Sequence, residues 1–142
     1  MAEGIVNILL VEDDEVDIMN VQRAFQKNKI TNPLYIARNG LEAIELLKGV
    51  SGIKITPLPK IILLDINMPK MGGIEFLKEI RKCPEFHAMS VFIMTTSNEE
   101  SDKVAAYNLN VAGYILKPLS FESFVGTVSK LNHYWKLCEL PS

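Results

Sequence analysis

The sequence predicts an α/β domain built on a parallel five-stranded sheet with helices on both faces. Three observations carry that expectation. Short apolar runs at Asn7–Val11, Leu34–Ala37, Ile61–Leu64, Val91–Met94 and Gly113–Leu116 alternate with segments whose apolar residues recur three and four positions apart. The runs show no polar alternation, as expected of strands buried on both faces. Four of them stop abruptly at polar residues, namely Glu12-Asp13, Asp65, Thr95 and Lys117. Parallel strands end on one side, so these residues should meet at the carboxyl edge, where open α/β sheets bind ligands.

Each element has its own signal. The first helix is expected over Glu15–Lys27, with Ile18, Val21 and Phe25 on one face. Asn32-Pro33 breaks the chain before the second strand. Asn39-Gly40 marks a turn, and Leu41–Lys48 forms a helix burying Ala43, Ile44 and Leu47. Gly49–Pro59, with two glycines and two prolines, reads as a loop longer than the usual ~2–6 residues, holding an extra turn or a partner contact. Gly73–Lys82 is helical, burying Ile74, Leu77 and Ile80, while Lys78, Arg81 and Lys82 form a solvated face that complements the helix carboxyl end. A further helix is expected over Glu99–Asn108, capped by Ser97 or Asn98, which leaves Thr95 available at the sheet edge. The last helix begins near Phe121 and carries a stripe of Phe121, Phe124, Val128, Leu131 and Trp135.

Composition narrows the function classes. A chain of 142 residues forms one domain able to bury about 68–70% of its unfolded surface. A net charge of -2, with both signs dispersed, gives no electrostatic case for nucleic acid or an anionic membrane. No apolar run approaches the ~20 residues of a bilayer span, and Met1-Ala2-Glu3-Gly4 lacks a signal peptide's basic region, so a cytosolic location is expected. Cys83 and Cys138 are isolated and read as free thiols, and His87 and His133 have no paired ligand spacing.

The chemistry sits in the strand ends. Glu12-Asp13-Asp14-Glu15 follows a buried strand and opens a helix, where a carboxylate can cap the first turn. Capping accounts for Asp14 or Glu15 but not for acids crowded at the strand edge, which repel one another unless a cation joins them. Hard oxygen donors suit magnesium, which takes one or two protein carboxylates and keeps its other waters. A separate Asp65 can act as a nucleophile toward phosphorus, and the Thr95 hydroxyl and Lys117 ammonium can bind phosphoryl oxygens. In-line positioning with neutralised charge is nearly all that phosphoryl transfer asks of a protein.

At these residues the chain resembles the response-regulator receiver domain of two-component signalling, a CheY-like family, over almost its whole length. The resemblance rests on Val11-Glu12-Asp13, Asp65-Ile66-Asn67-Met68-Pro69, Gly73, Thr95-Thr96 and Tyr114-Ile115-Leu116-Lys117-Pro118. It implies a flavodoxin-like doubly wound fold of five β-α units with strand order 2-1-3-4-5, spanning 1–142 as a single receiver domain without an output domain. It makes Asp65 the phosphoacceptor for a histidine kinase. Magnesium or manganese would be held by Asp13, Asp65 and the backbone carbonyl of Asn67, with Glu12 acting through water. Thr95 and Lys117 would grip the phosphoryl group, Tyr114 would be the switch aromatic, and Lys117-Pro118 would be a cis peptide. The domain would catalyse only its own phosphorylation and dephosphorylation.

Two features set the chain apart within that family. Asn110-Val111 replaces a usual Gly-Ala before the fifth strand, and Asn is the residue besides glycine that best tolerates a left-handed turn. The Gly49–Pro59 loop, the Tyr107-Asn108-Leu109-Asn110 turn and the Phe-rich, Trp-containing last helix resemble the phytochrome-associated single-domain regulators, so a phytochrome is one candidate sensor kinase. Output would run through contact with a downstream protein, or the domain would act as a phosphate sink or relay. The last helix and the Gly113–Leu116 strand are the expected partner or homodimer face. A haloacid-dehalogenase-type phosphatase would need an acid where Asn67 stands, and a dinucleotide site would need a glycine-rich turn where four acids stand. An unphosphorylated pseudo-receiver should have lost an edge residue, and all are present.

Overall fold

Apolar runs without alternation pair side by side in the computed structural model. It describes residues 6–50, 52–66, 68, 70–95, 109–116 and 121–138, and gives the backbone alone for residues 95, 116 and 134–138. The strands are β1 (Ile8–Val11), β2 (Leu34–Ala37), β3 (Ile61–Asp65), β4 (Ser90–Thr95) and β5 (Gly113–Leu116). They form one parallel sheet in the order β2-β1-β3-β4-β5, the order implied by the family resemblance. Val11 pairs with Leu64, so Glu12 and Asp65 leave the sheet at the same level. Asp65 pairs with Met94, and Thr95 pairs with Leu116.

The described helices are α1 (Glu15–Lys27), α2 (Gly40–Lys48), α3 (Gly73–Arg81) and α4 (Phe121–Cys138), with a 3-10 turn at Pro84–Phe86. The helix expected over Glu99–Asn108 lies outside the described residues. Strand side chains alternate between two cores. Leu9, Val11, Ile62, Leu64, Val91 and Ile93 meet α2 and α3 through Leu47, Phe76, Leu77 and Ile80. Ile8, Leu10, Ile61, Leu63, Phe92 and Ile115 meet α1 and α4 through Ile18, Val21, Phe124 and Val128. Each such fully buried side chain contributes about 1.5–3 kcal/mol relative to exposure. β1 and β3 are buried on both faces, whereas Leu34, Tyr35 and Ile36 of edge strand β2 are half-buried.

Three expectations need correction. On α2, Ala43 and Leu47 are buried as expected, but Ile44 is only half-buried. α3 buries Phe76 along with Leu77 and Ile80, and Ile74 is only half-buried. Arg81 is not part of a solvated face. Its Nε donates to the carbonyl of Leu109 at 2.8 Å and its Nη2 to that of Asn110 at 2.9 Å, tying α3 to the turn before β5. Partial burial pulls its pKa below the ordinary value, and the guanidinium stays charged at neutral pH. Asn110 sits at φ 62, the left-handed conformation expected of it.

The Gly49–Pro59 loop is anchored to the domain at a few points, among them the buried Ile55 and Pro59. Gly49 ends α2 at φ 74, where glycine pays no steric penalty. Ile55 is fully buried and its N–H donates to the Leu46 carbonyl at 3.0 Å. Asn7, itself buried, donates from Nδ2 to the Pro57 carbonyl at 2.7 Å and accepts from the Lys60 N–H at its backbone oxygen. The Thr56–Pro57 peptide in this loop is cis.

Candidate functional site

β1 ends where the chain becomes acidic, and the backbone holds the acids in place. The Glu12 N–H donates to the Ala37 carbonyl at 2.9 Å, carrying the β1–β2 pairing one residue beyond the strand. Glu12 is enclosed at 0% exposure, and its Oε2 accepts from the Asp14 N–H at 3.2 Å. Asp14 caps α1, its Oδ1 accepting from the N–H groups of Val16 at 2.8 Å and Asp17 at 3.3 Å. Asp13, between them, is exposed and has no capping role. On the rim, Arg38 after β2 pairs with Glu15 of α1.

Asp65 closes β3 at 7% exposure. The loop behind it folds back tightly, the Gly73 N–H donating to the Ile66 carbonyl at 2.9 Å. A Cβ on Gly73 would stand 2.4 Å from the Asp65 carbonyl oxygen and 2.9 Å from Ile66 Cα, so no other residue fits there without moving the backbone. α3 starts directly against the residue that bears the carboxylate. Lys70 takes φ 66 in the same loop.

Glu12, Asp13 and Asp65 each bring a carboxylate oxygen within 4.8 Å of the others. Two of the three are buried, and buried carboxylates held that close repel strongly at reduced dielectric. The set is all oxygen, with neither sulfur nor imidazole, which fits a hard divalent cation such as magnesium, manganese or calcium and not a zinc site. Asp13, the exposed member, leaves one side of the group open to solvent.

The chain that sets this carboxylate triad on the carboxyl edge of its sheet matches the response regulator receiver domain family over residues 8–129. The chain belongs to this family. It is 36% identical over 128 residues to the response regulator Rcp1 of Synechocystis, covering 90% of this chain and 87% of Rcp1. The manganese-bound form of Rcp1 superimposes with a TM-score of 0.80, covering 92% of this chain and 94% of that one. The phosphorylated cyanobacterial phytochrome response regulator RcpA gives a TM-score of 0.84 at 32% identity, covering 92% and 93% of the two chains. A two-component response regulator from Legionella pneumophila is 41% identical, with a TM-score of 0.78 and coverage of 95% and 99%. This receiver domain is thus a signalling module related to phytochrome response regulators.

The structure brings three of the expected site residues together, Glu12, Asp13 and Asp65. Tyr114 lies on β5 opposite Ile93, half-buried against the core that contains α2 and α3. Asn67 and the Lys117-Pro118 pair lie outside the described residues, and the Thr95 side chain does too, although its backbone ends β4. Sequence reasoning missed Gly40. Its N–H donates to the Met71 carbonyl at 2.8 Å, joining α2 to the loop behind Asp65. Asn39-Gly40 was legible as a turn, but the partner of that turn was not.

Proposed function

We propose that this receiver domain is a phosphoacceptor switch in which Asp65 takes a phosphoryl group from a phosphohistidine of a sensor kinase. The observation that carries the reading is the convergence of Glu12, Asp13 and Asp65 oxygens at the end of the central strand. An Asp65 carboxylate oxygen attacks phosphorus in line as the phosphorus–nitrogen bond breaks, and the imidazole leaves with its electron pair. The product is an acyl phosphate, which water later hydrolyses to restore Asp65. These are the only two reactions the domain promotes.

Asp13 and Asp65 would ligate magnesium (or manganese) directly, with Glu12 acting through water and Asn67 through its carbonyl. When bound, the ion supplies neutralisation of charge on the phosphoryl oxygens. Asp65 holds the reacting oxygen, and Gly73 fixes the backbone that carries it. Thr95 and Lys117 bind the remaining phosphoryl oxygens, and Tyr114 rotates toward space that Thr95 vacates, remodelling the face around β5 and α4. That face passes the signal to a downstream protein or a second copy of the chain. The kinship with RcpA and Rcp1 favours a phytochrome as the kinase, working in the cytoplasm. A single domain covering residues 1–142 suffices for this role.

The test is intact-mass measurement after incubation with a small-molecule phosphodonor and magnesium. Wild type should gain one phosphoryl group, and Asp65→Asn should gain none. Equal labelling of the Asn variant would end the assignment.

A further inference from the structure

The site described so far explains Gly73 but leaves a second close contact unused. Gly40 is the first residue of α2, and Asn39 caps that helix, its Oδ1 accepting from the Glu42 N–H at 2.8 Å. The first N–H groups of a helix have no partner within it. At Gly40 that N–H points across to the β3–α3 loop and donates to the Met71 carbonyl at 2.8 Å. The approach leaves no room for a side chain, since a Cβ on Gly40 would lie 2.8 Å from the Met71 carbonyl oxygen and 2.7 Å from its Cγ. Gly40 has no left-handed φ, so conformational freedom is not what requires glycine here. Proximity is.

We infer that Gly40 is a positioning residue for the phosphoacceptor loop. The amino end of α2 clamps Met71, in the connection between Asp65 and α3. The inference rests on the phosphoacceptor reading of Asp65. The loop is held at two points by two glycines of different helices. Gly73 closes it on itself at Ile66, and Gly40 fixes it to the neighbouring β-α unit at Met71. Gly73 sets the height of Asp65 above the sheet. Gly40 ties Met71 to the turn that follows β2. A partly negative carbonyl at a helix amino end is also well placed electrostatically. Gly40 touches none of the three carboxylate-bearing residues in its close contacts, so its effect on a bound cation is indirect.

Two substitutions separate this role from helix stability. Gly40→Ala keeps the N–H and adds a Cβ, and alanine is the better helix former. Gly40→Pro removes the N–H at the first helical position, where proline is well tolerated. Calorimetric titration with magnesium should show affinity weakened about ten- to a hundredfold for both, the range typical of lost outer contacts to a metal site. Labelling by a small-molecule phosphodonor should slow in step, measured on variants that still unfold cooperatively in chelator, at whatever thermal midpoint the added bulk leaves them. The Gly40 amide resonance of wild type should also move on magnesium addition. Unchanged magnesium affinity, with or without a lower thermal midpoint, overturns the inference and leaves Gly40 a packing residue. Should neither variant fold, the wild-type Gly40 amide decides: a resonance that moves on magnesium addition is expected, and one that stays in place overturns the inference. Wild type that binds magnesium but is not labelled would count against the Asp65 reading, with the affinity comparison still deciding Gly40.

Discussion

The two loops that flank β3 are held by opposite means. The segment leading into the strand, from Gly49 to Lys60, is anchored by apolar burial at Ile55 and by the Asn7 amide on the Pro57 carbonyl. In the connection leaving it, Ile66 and Met71 are anchored by backbone hydrogen bonds from Gly73 and Gly40, with glycine contacts too close for any side chain. The first loop adds to the core. The second stands beside three crowded carboxylates and cannot be stabilised by burying them, because desolvated like charges destabilise whatever holds them. This backbone frame lets the carboxyl edge keep its charges close, where a divalent cation would offset their repulsion. In the proposed reading, the amino edge carries stability and the carboxyl edge carries chemistry.

The comparison breaks most visibly at Ile55. Ile55→Ala should lower unfolding free energy by about 2–5 kcal/mol, read from the denaturant midpoint, through lost burial and the cavity left behind. Folded protein should still accept one phosphoryl group. Loss of labelling in the folded fraction would mean that the two edges are not separable as argued.

The next effect belongs to the acids. At a hundred times its dissociation constant, magnesium should stabilise wild type by about 2.7 kcal/mol. Asp13→Ala should lose most of that gain, while its chelator-treated form unfolds at or above the wild-type midpoint because a like charge has gone. Full magnesium stabilisation of Asp13→Ala would remove Asp13 from the ligand set.

The smallest effect is the switch. Its two states need differ by only a few kcal/mol for phosphorylation to move the balance. A phosphate mimic should shift the resonances of Tyr114 and its β5 neighbours, and Thr95→Ala should abolish the shift while Asp65 still labels. Identical Tyr114 spectra in the free and mimic-bound states would show that the carboxyl edge does not signal through that ring.

Much of this was legible in the chain itself. Buried strands announce themselves as Ile8-Leu9-Leu10-Val11 and Ile61-Ile62-Leu63-Leu64 because neither face can tolerate a polar residue. Helix α1 began and ended where its periodicity and its acidic cap placed it. Glu12, Asp13 and Asp65 were nameable because parallel strands must deliver their ends to one edge. Arg81 was misread, since a cation at a helix end looks alike whether it faces water or the carbonyls of Leu109 and Asn110. Ile55 was hidden in a loop rich in glycine and proline, where no periodicity marks one apolar residue as core.

By itself, then, the sequence determined the element types, the edge on which the chemistry collects and the acids Glu12, Asp13 and Asp65 that stand there, because periodicity and residue chemistry are local properties; their joint role as metal ligands followed from family resemblance. The strand order followed from family resemblance and not from pattern. Only the tertiary structure decided that Glu12 is enclosed while its neighbour Asp13 is exposed, and that Gly73 and Gly40 brace the loop behind Asp65 from two sides. Those facts depend on which strands and helices become neighbours. Close approach between residues as far apart in the chain as Gly40 and Met71 leaves no periodic trace along it.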